Sequence, residues 1–235
     1  MNLPSDSLLA ADGTRLQLYT WPGEARRGTV LIVHGLGEHA GRYAHVAAWL
    51  AERGFATLAY DHRGHGRSDG KRGVVPSVDA LLEDLGTVVA ALRPKEGRFI
   101  LLGHSMGGKV AMQFALSYPA RCTRLLVADI APVIYPSHHA AVLAALRAVA
   151  DRPDADRRET ARLLEERLHD PALVGLLLMH RERLPDGAWA WRLGREHIEA
   201  GYGDILAAPQ PSPGHLRWEG PVLFLRGERS EYVQP

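Results

Sequence analysis

The segment Gly103-His104-Ser105-Met106-Gly107 constrains this chain more than any other stretch. A Gly-x-Ser-x-Gly pattern, preceded by a strand and followed by a helix, marks a sharp reversal that leaves the serine strained and exposed at the strand end. Glycines flank such a serine because a β-carbon there collides with the neighbouring strand or helix, and Gly103, Gly107 and Gly108 hold those places. The context fits: Phe99 to Leu102 reads as a buried strand and Met106 to Tyr118 as a helix. The helix start also brings its positive dipole end to a developing negative charge. Ser105 is therefore the expected nucleophile. His104 is read as packing beside the turn, not as its base.

Around this segment, apolar β-branched runs alternate with helical patterns, which predicts an α/β fold. The expected architecture is a mostly parallel central sheet with helices on both faces. Leu16 to Trp21 alternates like an edge strand, and Thr29 to Val33 is a continuous apolar run, as in a strand buried on both faces. Tyr43 to Arg53 shows helical spacing and stops at Gly54; Phe55 to Tyr60 is the next strand. Ser77 is placed to cap a helix running to about Arg93, before Pro94, and Leu125 to Ala128 is a further strand.

Beyond Pro132 the pattern changes. Ala140 to Ala150, Arg158 to His169 and Leu173 to Arg183 read as helices with no strand between them. Residues 134–216 are thus expected to form a helical cap insertion over the sheet, within a core made of residues 1–133 and 217–235. Pro209, Pro211, Pro213 and Gly214 mark the exit, and Pro221 to Leu225 returns to a buried-strand pattern. Leu176, Leu177, Leu178, Met179, Trp189 and Trp191 are candidates to line an acyl pocket in the insertion, or equally to pack its helices together.

Composition narrows the partners. Twenty-eight Lys and Arg against 27 Asp and Glu give a net charge of +1, so no single-sign field is available to attract nucleic acid. Cys122 is the only cysteine, which rules out an intrachain disulfide and a cysteine-based metal site. No apolar run approaches the ~20 residues of a membrane span. The polar start lacks the layout of a signal peptide, and a cytoplasmic location is expected. No cofactor and no metal is expected; His62 and His65 lie on a Gly-rich loop without a third ligand.

A serine nucleophile needs two backbone N–H groups aimed at the carbonyl oxygen under attack. Met106, immediately after Ser105, should supply one. Leu36, in the loop His34-Gly35-Leu36-Gly37 after a buried strand, should supply the other, because Gly35 lets the backbone turn back towards the serine. His34 is read as a structural hydrogen bond within this loop. The charges of Asp61 to Ser68 are expected to brace their own loop.

The stretch "VHGLGEHAGRYAHVAAWLAERGFATLAYDHRGHGRSDGKRG" closely resembles bacterial monoacylglycerol lipases and lysophospholipases of the α/β-hydrolase superfamily. From Gly103 onward, "GHSMGGKVAMQFALSYPARCTRLLVADIAPV" and "GPVLFLRGERSEYV" look more like bacterial short-chain acyl esterases. The resemblance implies one fold and one reaction class, the hydrolysis of a small ester, with the two halves suggesting a hybrid joined near Arg98 to Leu102. It also implies the acid. The usual Gly-x-x-Asp after the penultimate strand reads Gly227-Glu228-Arg229-Ser230 here, whereas Asp129 matches the acid of the esterases' D-I-A-P segment. Asp129 is the candidate and Glu228 its rival.

The resemblance places the base in a loop after a last strand, and no histidine follows His215. Recruiting His215 would need an unusual path. The expectation is a truncated hydrolase lacking its last strand and catalytic histidine. Loss of a triad member costs on the order of 10⁴ to 10⁶ in rate. The strand Pro221 to Leu225 would then be an exposed apolar edge open to self-association. A non-catalytic binding module of the same fold is the competing reading. An aminopeptidase would want an acidic anchor in the cap, and no single residue stands out. Dehalogenases and epoxide hydrolases use Asp where this chain has Ser105.

Overall fold

The computed structural model describes residues 6–137, 139–150, 152, 154–211, 217–228 and 230–233. The chain divides into two compact units, one of residues 1–70, 75–134 and 207–235, the other of residues 71–74 and 135–206. The first opens with β1 (Ser7–Leu9), β2 (Arg15–Trp21) and β3 (Gly28–Val33), then α1 (Ala44–Glu52), β4 (Phe55–Tyr60), α2 (Val78–Leu92), β5 (Phe99–His104), α3 (Met106–Ser117) and β6 (Leu125–Ala128). The second holds α4 (Ala140–Ala150), α5 (Arg157–Leu168), α6 (Pro171–Leu178), β7 (Arg181–Arg183), β8 (Trp189–Trp191), α7 (Arg195–Ala200) and α8 (Tyr202–Leu206), after which β9 (Val222–Leu225) rejoins the first unit's sheet.

Seven strands lie in the order β1-β2-β4-β3-β5-β6-β9. β1–β2 and β2–β4 are antiparallel, and every pair from β4 to β9 is parallel. Every residue of β3 is buried, as the unbroken apolar run requires of a strand covered on both faces. Pleating divides its side chains between two cores. Val30 and Ile32 share a cluster with Leu50 of α1 and Leu102 of β5. On the opposite face α3 comes so close that a β-carbon on Gly107 would overlap the carbonyl oxygens of Val33 and His34. Helices therefore cover both faces, α1 on one and α3 on the other.

Local chemistry explains the helix ends. Ser77 caps α2 by accepting from the Ala80 N–H at 3.1 Å. Asp156 does the same for α5 through the Glu159 N–H at 2.8 Å, and Asp170 for α6, which begins at Pro171. Lys109 of α3 donates to the carbonyls of Ala207 at 2.6 Å and Val133 at 3.4 Å, while Gln113 exchanges two hydrogen bonds with the Gln210 backbone. One helix thus holds the two segments of the first unit that flank residues 135–206. Burial lowers the Lys109 amine to about 8.

Three sequence expectations change. Leu16 to Trp21 is not the edge, because Ser7–Leu9 pairs outside it; three residues are too few to show alternation. The helix expected from Tyr43 starts at Ala44, after a 3-10 turn over Ala40–Tyr43. The helix expected over Leu173 to Arg183 stops at Leu178, and Arg181–Arg183 pairs antiparallel with Trp189–Trp191. Between them Pro185-Asp186-Gly187 reverses the chain, with Gly187 at φ +89° and the Leu184 N–H bonded to the Ala188 carbonyl at 2.8 Å. Pro213, Gly214 and His215 lie outside the described residues.

The loop after β4 is fastened mainly to other elements. Arg63 grips Asp84 of α2 with two 2.7 Å bonds and reaches Asp12 at 2.8 Å. Asp61 accepts from the N–H groups of Ala40 and Arg67 and from the Tyr19 hydroxyl. Inside the loop, Asp61 takes the Arg67 N–H, the Ser68 hydroxyl donates to the Asp61 carbonyl at 2.6 Å, and the His65 Nδ1 lies 3.0 Å from the Arg63 carbonyl. Replacing fully buried Asp84 by Ala strands the guanidinium, and a loss of about 3 kcal/mol or more in urea unfolding is expected. A loss below about 1 kcal/mol would show that Asp12 alone holds Arg63.

Candidate active site

The parallel register sets up the site before any side chain is considered. Val33 faces Gly103, His104 faces Ala128 and Ala128 faces Leu225. One step beyond His104 and Ala128, and two beyond Val33, come Ser105, Asp129 and Gly35, on three neighbouring strand ends. Two bonds continue the ladder into this row: Ser105 N–H to the Ala128 carbonyl at 3.1 Å, and Asp129 N–H to the Leu225 carbonyl at 2.8 Å.

Ser105 has φ +52° and ψ −125°, a conformation costly for any residue with a β-carbon. Its carbonyl immediately accepts the N–H groups of Gly108 at 2.8 Å and Lys109 at 3.2 Å, which starts α3. The reversal is possible because the helix lies almost on the sheet. A β-carbon on Gly103 would overlap Gly107 and Gly108, and one on Gly107 would overlap the β3 backbone. Met106 is the first residue of α3, and the helix offers its N–H no acceptor.

The loop after β3 meets the serine directly. A β-carbon built on Gly35 would lie 3.3 Å from the Ser105 β-carbon. Leu36, half-buried, follows in the turn closed by the Glu38 N–H on the Gly35 carbonyl at 3.3 Å. The expected pair of N–H donors, Leu36 and Met106, thus sits on the two segments that adjoin Ser105.

His34 holds this loop from behind. Fully buried, its Nδ1 donates to the Gly35 carbonyl at 2.8 Å and its Nε2 accepts from the His62 N–H at 3.0 Å, which selects one neutral tautomer. His62 is as deeply buried and returns a bond from Nε2 to the His34 carbonyl at 3.2 Å. The rings of His34 and His62 meet edge-on at 4.5 Å, with His65 5.4 Å from His34. Burial first, then repulsion from His65, pushes His34 down to about 3; burial drives His62 well below its ordinary value.

Two contributors escaped the sequence reading. The Glu38 Oε2 accepts from the Gly35 N–H at 3.0 Å and the Tyr43 hydroxyl at 2.7 Å, and lies 3.2 Å from the His104 Nδ1. His104 also reaches the Tyr43 hydroxyl at 2.9 Å, so it is bonded into this cluster as well as packed beside the turn. Both Glu38 and Tyr43 lie in the first stretch that carries the family resemblance, yet neither residue type signals such a role alone. Burial pushes the Glu38 carboxyl up, but the bonds from His104, Tyr43 and Gly35 overcome it and bring it down to about 2.

Asp129 has φ +59°, and its Oδ1 accepts from the Gly227 N–H at 3.2 Å, so the carboxylate fastens the loop after β9. Glu228 lies in the turn of that loop. Among the described residues no histidine is hydrogen-bonded to Ser105 or Asp129. Described His, Cys, Asp and Glu residues form no group of three able to hold a metal, and no described helix is long and apolar enough to cross a membrane. In the second unit a cleft of about 290 Å³ is lined by Leu146, Trp191, Leu193, Arg72, Arg195 and their neighbours. Of the six residues suggested as pocket lining, Trp191 is there; Leu177 and Leu178 instead pack in that unit's core.

The histidine pair gives the site a pH signature. Below about 6.5 the unfolded chain protonates these rings, while the folded chain resists down to about 3 for His34. Stability is therefore full above about 6.5 and drains away as pH falls. The melting temperature is expected to drop between pH 6.5 and 5, and His62→Gln should flatten that slope; equal slopes would count against the role.

A family model described as Serine aminopeptidase, S33 (Hydrolase_4) matches residues 24–234. A diacylglycerol lipase of Danio rerio, sn-1-specific ABHD11, is 33% identical over 236 residues, covering 97% of this chain and 72% of that protein. A monoacylglycerol lipase of Mycolicibacterium smegmatis is 38% identical over 125 residues, 52% of this chain and 44% of its own length. Among solved structures, a marine microorganism esterase superposes with TM-score 0.76 at 28% identity, covering 94% of this chain and 83% of that one. The alignment with the Danio relative runs across both of the stretches that resemble different subfamilies. The chain belongs to the Hydrolase_4 family of the α/β-hydrolase superfamily.

Proposed function

We propose that this chain is a carboxylic ester hydrolase working through an acyl-enzyme on Ser105. The observation that carries the reading is the strained Ser105 at φ +52°, set between β5 and the first N–H of α3. The Ser105 oxygen attacks the ester carbonyl carbon, its proton passing to a general base, and a carbon–oxygen bond forms. The displaced electron pair rests on the carbonyl oxygen, where the N–H groups of Leu36 and Met106 receive it. Collapse expels the alcohol, which takes the proton, and water then releases the acid.

Asp129 is proposed as the acid of the charge system, since its strand end adjoins that of Ser105. Its bond to Gly227 orients the carboxylate and leaves Oδ2 for a partner. The substrate class follows the named activities of the relatives, diacylglycerol and monoacylglycerol lipases, and is an uncharged glycerol ester. The aminopeptidase description of the family model favours a peptide, but Glu38, beside the Gly35 turn, is already committed to three donors and is not free to anchor an amine.

The 235-residue polypeptide is expected to hydrolyse p-nitrophenyl acetate through Ser105. A fluorophosphonate probe should label it, and Ser105→Ala should abolish both signals. Turnover unaffected by Ser105→Ala would overturn the acyl-enzyme and favour a hydrolase-fold binding module.

We further infer self-association through β9. It ends the described sheet order, and Val222, Leu223, Phe224 and Leu225 are 38% to 54% exposed despite their apolar character. Sedimentation of the 235-residue polypeptide should show concentration-dependent association that Leu223→Lys weakens. A monomer at all concentrations would refute it.

A further inference from the structure

We propose that Glu38 is the positioning residue that holds the oxyanion loop against the serine turn, a proposal that rests on the acyl-enzyme reading above. The strength of the case lies in where its three donors come from. The Gly35 N–H belongs to the loop that carries Leu36, the Tyr43 hydroxyl to the segment leading into α1, and the His104 ring to the residue immediately before Ser105. All three converge on one oxygen, Oε2. Glu38 also closes the loop on itself, since its own N–H bonds the Gly35 carbonyl at 3.3 Å while its carboxylate takes the Gly35 N–H at 3.0 Å.

Proton accounting supports the arrangement. Tyr43 has one hydroxyl proton, which goes to Glu38 at 2.7 Å, so the 2.9 Å contact with His104 requires the proton on the His104 Nδ1. That proton is shared between the Tyr43 oxygen and Oε2, so the Tyr43 hydroxyl, the His104 Nδ1 and Oε2 engage one another. The other carboxylate oxygen faces Arg42 at 3.8 Å, a contact 40% exposed on the arginine side and too long to explain a side chain that is itself only 17% exposed. A charged acceptor for three donors is stronger than a neutral one, and it needs no reorganisation when negative charge builds beside it.

The test compares Glu38→Ala, Glu38→Gln, Tyr43→Phe and Arg42→Ala in p-nitrophenyl acetate turnover, each corrected for the Ser105→Ala background. Glu38→Ala is expected to lower kcat about 10- to 100-fold with KM nearly unchanged. Glu38→Gln keeps a neutral acceptor and should recover part of the loss, and Arg42→Ala should match the parent. A Glu38→Ala enzyme with unchanged kcat, or an equal loss in Arg42→Ala, would overturn the proposal. If the parent shows no Ser105-dependent turnover, the acyl-enzyme reading fails, and amide exchange still decides the positioning role. The Gly35 and Leu36 amides should exchange faster in Glu38→Ala and be restored in Glu38→Gln; identical exchange in all variants would overturn it.

Discussion

Everything at the site depends on how closely α3 lies on β3. The helix start is so near the strand that Gly107 has no room for a β-carbon beside the Val33 and His34 carbonyls. That approach forces the chain to reverse within one residue, and Ser105 takes the strained conformation as a result. It also leaves the first N–H of the helix beside the serine instead of inside a hydrogen-bonded turn. Strain and a ready donor are thus both consequences of a single packing distance.

The parts of the fold that were legible in the sequence are those where one strong signal acted alone. The β3 run is apolar from Val30 to Val33 because both of its faces are covered, and such a run has few other meanings. Ser77 and Pro94 bracket α2 by local chemistry that tertiary contacts need not supply. The glycines around Ser105 announce close approach in the same way. Misreadings arose where signals competed. Leu173 to Arg183 continues an apolar helical pattern, but Pro185-Asp186-Gly187 just beyond it is a reversal signal that called for a hairpin. Ser7–Leu9 gave no pattern at all; only the open edge of β2 recruits it.

The site shows the same division. Ser105 and Met106 are neighbours in sequence, and Leu36 follows a recognisable strand, so their placing needed little beyond local rules. Glu38 and Tyr43 could not be singled out, because their importance lies in converging from different segments on His104. A carboxylate five residues past a strand is ordinary on a protein surface until its donors are known. Asp129 stands between these cases: its strand end is local, but its bond to Gly227 spans 98 residues.

Two polar clusters flank the Gly35 turn, and their chemistry is opposite. Behind it, His34 and His62 are neutral rings that burial keeps from taking protons. In front of it, Glu38 stays ionised because three donors outweigh its burial. The neutral pair fixes the Gly35 carbonyl and the anion fixes the Gly35 N–H, so one peptide segment is pinned from both sides. A charge behind the turn would have lacked a partner among buried imidazoles, whereas a charge in front is answered by donors that also adjoin Ser105. The division keeps the loop rigid without burying an unpaired ion, and it puts the only full negative charge of the two clusters where it can organise N–H groups instead of competing with them.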